Sequence, residues 1–434
     1  MAINDVARGR LREQDASARG MRVLLLAGDT FPPKRVDLTV LYGEELSRRG
    51  HRIDWLLQSD APCSRAYVTR YARGVAIVGP TDTGCSLARR VRKHVLSIVH
   101  DFKVLGLLRK KRYDVVEVKD KFVSGVFALV AARMLGVKFV YWLSYPFPEH
   151  YLYRYRAGDA PYPLLYWLRG TAFKLLLYKV LLPGADHVFV QSEQMRRDIG
   201  AVGVTPAKMT AVPMGVRLTE DPRADASDRS VIPAGERCFV YLGTLVRVRR
   251  LDFLVRVLAI VRREIPDAKL YLVGRGEEPE DEDAIRAEAA RLGVSSAVVL
   301  VGELPRDEAL RYVHDADVCV SPFYPTPILR STSPTKLVEY LAMGKAVVAS
   351  DHPEQRRVIE ESGGGLCVPW DETEFAGAIV RLMSCPDVAR RMGEKGRRFV
   401  EQNRSYATIA DLVERELVAL AATATPRIGK PQLS

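Results

Sequence analysis

The chain is 434 residues long, 47% hydrophobic and 27% charged, which excludes wholesale disorder and leaves room for two or three domains, each with its own core. The six cysteines (Cys63, Cys85, Cys238, Cys319, Cys367, Cys385) form no C-x-x-C pair and no histidine cluster joins them, which speaks against a zinc centre or a disulfide framework and fits a reducing cytoplasm. The net charge of +12 is unevenly placed: residues 1–217 carry 35 Lys and Arg against 19 Asp and Glu, and residues 218–434 carry 30 against 34. The first half is therefore the one expected to meet an anionic partner.

Residues 1–20 read as a polar, loose N-terminal extension; they hold no apolar central segment, so no signal peptide is expected. Met21 to Ala27 is an apolar strand ending at Gly28, a helical stretch stops at Arg49-Gly50-His51, and Arg52 to Leu57 alternates into a second strand. Strand, helix, strand implies a parallel sheet. Further strands are predicted at Asp114–Val118, Lys138–Leu143, His187–Gln191 and Met209–Pro213. The best candidate for a membrane span, Phe122 to Leu143, is interrupted by Arg133 and Lys138 and reads as a buried helix followed by a strand.

Two basic clusters, Arg89-Arg90-Val91-Arg92-Lys93 and Arg109-Lys110-Lys111-Arg112, flank an apolar helix. Tyr162 to Leu182 mixes Trp, Tyr and Leu with Arg169, Lys174 and Lys179. It suits a helix lying in a membrane interface and equally a core helix with snorkelling lysines. No nucleic-acid-binding motif occurs in this half. An anionic membrane surface is the partner its charge fits, and a cytoplasmic or peripheral protein is expected.

Residues 217–236 are polar and rich in Asp, Pro and Ala, and read as a linker. A second series of strands follows at Cys238–Gly243, Lys269–Val273, Val298–Val301, Asp317–Ser321 and Ala346–Ser350. Phe375 to Ala422 reads as helical and 423–434 as a loose tail. The expected organisation is α/β: a domain over 21–216 and a second over 237–422, whose last helices could pack back on the first. Ala185-Asp186-His187 and Ala316-Asp317-Val318 open similar strands in the two halves. Ligands bind beyond the carboxyl ends of such strands, and two such sheets facing each other would form a central cleft.

The most informative segment runs from Ser321 to Ser350. A strand enters a loop dense in Pro, Ser and Thr, and a helix is predicted to begin with Ser333 as N-cap and Pro334 in the first turn. Free N–H groups at such a start bind anions. Lys336 in that first turn opposes the helix dipole unless an anion is present; it is a phosphate ligand or a solvated lysine. Glu339, three residues on, is either its surface ion-pair partner or a carboxylate that grips ribose or sugar hydroxyls.

This segment resembles the donor site of the retaining family-4 glycosyltransferases (glycosyl transferases group 1), which have the double-Rossmann GT-B fold, in the variant form S-P-T-K-L-x-E-Y. The resemblance extends over roughly residues 21–420, through Arg49-Gly50-His51, Tyr113-Asp114-Val115-Val116, Gln191-Ser192-Glu193, Val212-Pro213-Met214-Gly215, Tyr241-Leu242-Gly243-Thr244, Leu272-Val273-Gly274-Arg275-Gly276, Leu341-Ala342-Met343-Gly344 and Gly363-Gly364-Gly365 in order. It implies a nucleotide-sugar donor as co-substrate, no cofactor and no metal, and a donor site of Thr244, Arg249, Ser331, Pro334, Thr335, Lys336, Leu337 and Glu339. The chain departs from the family where Ser331 replaces the first of two glutamates and Thr244 replaces an arginine. Arg249 keeps the second charge of that diphosphate pair, and Arg247 or Arg250 could supplement it. In the first domain the glycine-rich loop becomes Phe31-Pro32-Pro33-Lys34-Arg35, and a histidine position holds Ser144. Lys34, Asp120, Ser144 and His150 are the acceptor-side candidates, although His150 reads first as a loop histidine and Asp120 equally as a satisfied loop carboxylate.

Three motifs are set aside. Asp315-Ala316-Asp317 has a metal-binding form but sits where a helix enters a buried strand, so helix-end capping is expected. Glu277 to Asp283 reads as a solvated helix start, and no G-x-G-x-x-G follows a strand. The expected function is transfer of a sugar from a nucleotide diphosphate to a saccharide or lipid-linked acceptor in cell-surface polysaccharide, glycolipid or glycoconjugate synthesis. A nucleotide-sugar isomerase and a non-catalytic membrane-associated relative remain as alternatives.

Overall fold

The computed structural model describes residues 20–82, 84, 86–110, 113–218 and 230–423. Most of the expected extension, linker and tail, together with Cys85, Lys111 and Arg112, lies outside the described residues. The chain divides into two compact units: one runs to Pro213 and takes up the chain again from Tyr406, and the other is Met214–Ser405.

The first unit is built on β1 (Arg22–Phe31), β2 (Arg52–Ser59), β3 (Tyr67–Tyr71), β4 (Gly74–Gly79), β5 (Val115–Lys119), β6 (Lys138–Leu143), β7 (His187–Val190) and β8 (Met209–Ala211). The sheet order is β3-β4-β2-β1-β5-β6-β7-β8, parallel except for the β3–β4 hairpin. Period-two alternation builds the layers. Leu24, Leu26, Val116 and Val118 face one core with Ala128, Leu177 and Leu181. Val23, Leu25, Val115 and Trp142 face the other with Leu38, Tyr42, Ile409 and Val413. The last helix, Tyr406–Ala422, thus completes the first unit. Tyr406, Ile409, Ala410, Val413 and Leu417 form its buried stripe, and Arg49 clamps its outer side through Asp411 (2.6 Å) and Glu414 (2.7 Å).

The second unit holds β9 (Cys238–Leu242), β10 (Lys269–Val273), β11 (Val298–Gly302), β12 (Val318–Ser321), β13 (Val347–Ser350) and β14 (Gly365–Val368). Their order is β11-β10-β9-β12-β13-β14, all parallel, the Rossmann order. Phe239, Leu270, Val318 and Phe253 pack on one face, and Val240, Tyr271, Cys319 and Leu337 on the other.

One device recurs in both sheets. An aspartate just before a strand accepts the N–H of a residue at the start of the neighbouring strand: Asp114 from Arg22 (2.8 Å), Asp186 from Phe139 (2.9 Å) and Asp317 from Cys238 (2.8 Å). This is the physical content of the pattern shared by Ala185-Asp186 and Ala316-Asp317. It also corrects the capping expectation: Asp317 serves a strand, and Asp315 accepts from the Val231 and Ile232 amides (2.7 and 3.2 Å), pinning the chain that leads into β9.

Other differences from the sequence reading are local. β1 runs past Gly28 to Phe31, its register with β2 shifting between Leu26 and Thr30. The helical stretch after residue 371 is three helices, Glu372–Ser384, Pro386–Asn403 and Tyr406–Ala422, the first break falling at Pro386. Among the described residues no helix is long and apolar enough to cross a membrane.

Candidate functional site

In the second unit the strand order reverses between β9 and β12, the place where open parallel sheets bind ligands. Just beyond β9, Gly243 has φ +149°, and a Cβ there would lie 1.9 Å from Cε of Lys336. Gly274, beyond β10, has φ +145°, and its Cβ would lie 2.1 Å from the Gly243 carbonyl oxygen. Only glycine fits at either position, and the pair leaves a floor of bare backbone beneath the Lys336 side chain.

Lys336 leaves the first turn of the helix Thr335–Ala342, with Nζ 5.7 Å from the centre of the Tyr241 ring. Burial above all, and then the Arg249 cation, push its ammonium down to about 7, against the pull of Glu339. Arg249 closes the short turn Arg247–Arg249. Asp281 fixes that turn by accepting the Arg247 N–H at 2.9 Å, and it also holds the Glu277 and Glu278 amides. The acidic run is therefore partly structural, with Asp281 buried. The Arg249 Nε is buried without a hydrogen-bond partner. Burial raises the Tyr241 phenol while a hydrogen bond from Arg249 opposes that rise; the phenol also donates to the Thr244 carbonyl at 3.2 Å. Among the described residues neither Lys336 nor Arg249 has a carboxylate within ion-pair distance.

The remaining donor-side candidates fall around these two cations. Glu339 does not pair with Lys336; its carboxylate accepts from Arg306 on the helix Arg306–Asp315. Ser331 is buried, Pro334 is buried, and Leu337 is fully enclosed in the core, so only its backbone faces outward chemistry. Thr244 is exposed. Ser333 is not the N-cap: the helix begins at Thr335 with Pro334 before it, and the Ser333 hydroxyl accepts the Met214 N–H at 2.9 Å. The helix start thus has no side-chain cap, leaving first-turn N–H groups without that acceptor. Sequence reasoning missed Arg275, Glu303 and Leu304, which line a cavity at the ends of β10 and β11.

In the first unit the reversal falls between β1 and β5. A cavity of about 370 Å³ opens there, lined by Ala27, Gly28, Lys119, Asp120, Lys121 and Arg169 among others. Behind it lies a buried ionic network. Arg35 holds Asp37 with two bonds (3.2 and 2.9 Å), and Lys119 reaches the same carboxylate at 2.7 Å while lying 3.9 Å over the Trp142 ring. Burial would raise the Asp37 carboxyl, but Lys119 and Arg35 hold it at about 2. Glu117, on the same face of β5, accepts from Tyr42 at 2.5 Å; burial lifts it to about 7 against that bond and the Lys119 charge.

Asp120, at φ +56°, accepts the Ser144 N–H at 2.8 Å and the Ser144 hydroxyl, and Arg35 donates to that hydroxyl oxygen at 3.2 Å. The structure therefore brings Asp120 and Ser144 together and leaves the other two candidates aside. Lys34 is exposed and pairs with Asp60 at 2.8 Å. His150 bonds the Tyr145 hydroxyl at 3.1 Å through Nδ1.

The stretch after Tyr162 divides in two. Leu164, Leu165, Trp167 and Leu168 of the helix Pro163–Leu175 are exposed, whereas Leu177, Leu181 and Leu182 are buried in the core. On the helix Leu87–Asp101, Val91, Val95 and Val99 are exposed beside Arg92 and Lys93. Among the described residues no group of three His, Cys, Asp or Glu is placed to hold a metal ion.

Comparison with known proteins adds to this geometry. Residues 39–215 match the family described as Glycosyl transferase 4-like domain, and residues 236–385 match Glycosyl transferases group 1. The D-inositol 3-phosphate glycosyltransferase of Nocardia farcinica is 26% identical over 54% of this chain and 51% of its own length. The GDP-mannose-dependent alpha-(1-6)-phosphatidylinositol monomannoside mannosyltransferase of Mycobacterium tuberculosis is 30% identical over 52% of this chain and 60% of its own. The chain thus spans between half and two-thirds of the length of these curated relatives. Among solved structures, the sucrose-phosphate synthase of Thermosynechococcus elongatus superposes with a TM-score of 0.69 at 21% identity, covering 92% of this chain and 99% of that one. The Anabaena protein HepE, solved with UDP, gives 0.65 at 14% identity, covering 92% and 99%. At such identities the likeness establishes the fold.

Proposed function

Because the chain belongs to the glycosyltransferases that join a 4-like domain to a group 1 domain, we propose that it moves a sugar from a nucleotide-diphosphate sugar to a saccharide or lipid-linked acceptor, in the synthesis of a surface polysaccharide or glycolipid. The observation that carries this reading is the pair of cations at the β9–β12 reversal, Lys336 over the glycine floor and Arg249 near it, neither with a carboxylate in ion-pair distance among the described residues. A diphosphate is the anion that two such charges and an uncapped helix start would hold.

In this account the two cations and the N–H groups of Thr335, Lys336 and Leu337 stabilise the nucleoside diphosphate as the bond to the sugar breaks. This neutralisation asks for no bound metal. Glu339, fixed by Arg306, orients hydroxyls of the donor. The resemblance supports retention of anomeric configuration. The acceptor enters the cavity at the β1–β5 reversal, beside Asp120. The exposed apolar residues of Leu87–Asp101 and Pro163–Leu175, next to Arg92 and Lys93, support seating at an anionic membrane surface. The names of two relatives, which act on an inositol phosphate and on a phosphatidylinositol mannoside, are in keeping with such an acceptor.

The test is a thermal-shift screen of UDP, GDP, ADP, TDP and their common sugars, in magnesium and in chelator. A shift of the melting temperature by one nucleotide family, equal in both conditions, is the expected result. No shift with any nucleotide would move the weight to a non-catalytic relative.

A further inference from the structure

We propose that the cavity of the first unit recognises a phosphate-bearing group, with Arg169 as the residue that reads its charge. That this group belongs to the acceptor rests on the function proposed above; the recognition itself rests on the charges around the cavity.

Those charges are almost all accounted for internally. Asp29 is taken up by the amides of Thr30, Lys34 and Arg35, at 2.9, 3.2 and 3.3 Å. Asp120 is bonded twice by Ser144. Arg35 and Lys119 share Asp37, and Lys121 is paired with the buried Asp101 at 2.7 Å. Arg169 differs from these. Its guanidinium lies over two rings, 4.6 Å from the centre of Tyr151 and 5.2 Å from that of Phe173, and among the described residues it has no carboxylate partner.

A cation–π contact uses the charge of a guanidinium without taking up the acceptors that its N–H groups need. The two rings, which lie at 69° to each other, confine the guanidinium at the cavity wall, so less side-chain entropy is lost when its N–H groups meet a phosphate. Lys121 also lines the cavity, with one carboxylate behind it. His94 lines the same space; burial first, then the Arg169 and Lys93 charges, lower it from its usual value, so near neutral pH it offers a hydrogen bond without adding charge. Among the described residues around the cavity, Arg169 is therefore the charge awaiting an anion.

The phosphate could come on a soluble molecule or on a lipid head. Both helices that flank the cavity expose apolar side chains, Val91 and Val95 on one and Leu165 and Leu168 on the other, which gives a lipid chain somewhere to lie.

The experiment compares the full-length protein with Arg169→Gln in three titrations: inorganic phosphate, vesicles of phosphatidylcholine, and vesicles with about one-third phosphatidylglycerol. Phosphate affinity should fall about tenfold in the variant, the scale of one charged hydrogen bond. If vesicle binding depends on phosphatidylglycerol and falls in parallel, the phosphate is lipid-borne. If vesicle binding is untouched while phosphate binding falls, it is carried by a soluble molecule. Equal phosphate affinity in both proteins overturns the proposal. Should Arg169→Gln not fold, the Arg169 Nε–H resonance of the wild type, assigned by its absence from Arg169→Lys, replaces it: no movement on adding phosphate has the same meaning. Nucleoside diphosphate binding, measured alongside, tests the donor reading separately, since Arg169 lies in the other unit.

Discussion

Where β1 gives way to β5, Lys119 and Arg35 point at the strand ends and are met by Asp37 and Asp120. At the matching place between β9 and β12, Lys336 and Arg249 have the tyrosine ring and hydroxyl of Tyr241 for company and, among the described residues, no carboxylate within ion-pair distance. The two reversals arise from the same strand order, so the sheet alone does not make a cation a ligand. A buried cation that has its anion is part of the scaffold. One that lacks it, depressed by burial and by a like charge, marks a place where an anion is to arrive.

The largest effect should come from breaking the scaffold side. Asp37→Ala leaves Lys119 buried and unpaired, which is expected to cost about 3–5 kcal/mol in urea unfolding of the first unit. A loss under about 1 kcal/mol would mean that the network is not structural.

On the ligand side, Lys336→Ala and Arg249→Ala should each weaken nucleoside diphosphate binding by about 1–3 kcal/mol. For Lys336→Ala the melting temperature of the free protein should hold or rise, because the change removes a charge that burial disfavours. The comparison dissolves if these variants lose stability and keep their affinity.

The pH dependence sharpens the contrast. Lys336 titrates at about 7 in the free protein against 10.5 for an ordinary lysine. The unfolded chain therefore binds this proton more tightly. The penalty on folding is full below pH about 7 and fades as pH rises towards 10.5. A bound diphosphate raises the lysine back, so affinity should fall as pH climbs above about 7, at most about tenfold per unit from this group. Asp37, held at about 2, does the reverse: its contribution is present above its ordinary 3.8 and is lost as pH falls through 2.

The smallest effect is expected from Asp281→Asn. It weakens the grip on the Arg247 amide and should lower diphosphate affinity by about 0.5–1.5 kcal/mol, read by titration. An effect as large as that of Arg249→Ala would point to a direct contact instead.

Much of the framework was legible because central strands announce themselves: Lys138–Leu143 and Lys269–Val273 are short apolar runs with the bounds read from sequence. The hairpin β3–β4 was not, since Tyr67 and Val68 are exposed and its turn is Ala72-Arg73, with Ala72 at φ +49°, in place of an Asn-Gly signal. β14 hides behind three glycines, which lower strand propensity. At the site, Lys336 could be singled out because a cation in a helix's first turn is locally unfavourable, and Arg249 only because the resemblance makes it one of a diphosphate-binding pair. Glu339's partner could not, since Arg306 lies 33 residues away. Nor could the ionic network be read: Glu117 and Lys119 alternate on one face of β5, a pattern that ordinarily marks a solvated face, and the partners that allow their burial, Tyr42 and Asp37, come from a distant helix.

The most direct measurement is calorimetric titration of a nucleoside diphosphate at pH about 8, in two buffers of different ionisation enthalpy, on the wild type and on Lys336→Met. If Lys336 is the partnerless cation of a diphosphate site, the wild type takes up close to one proton on binding and the variant binds more weakly with none. Uptake that is zero in the wild type, or the same in both proteins, would contradict the account.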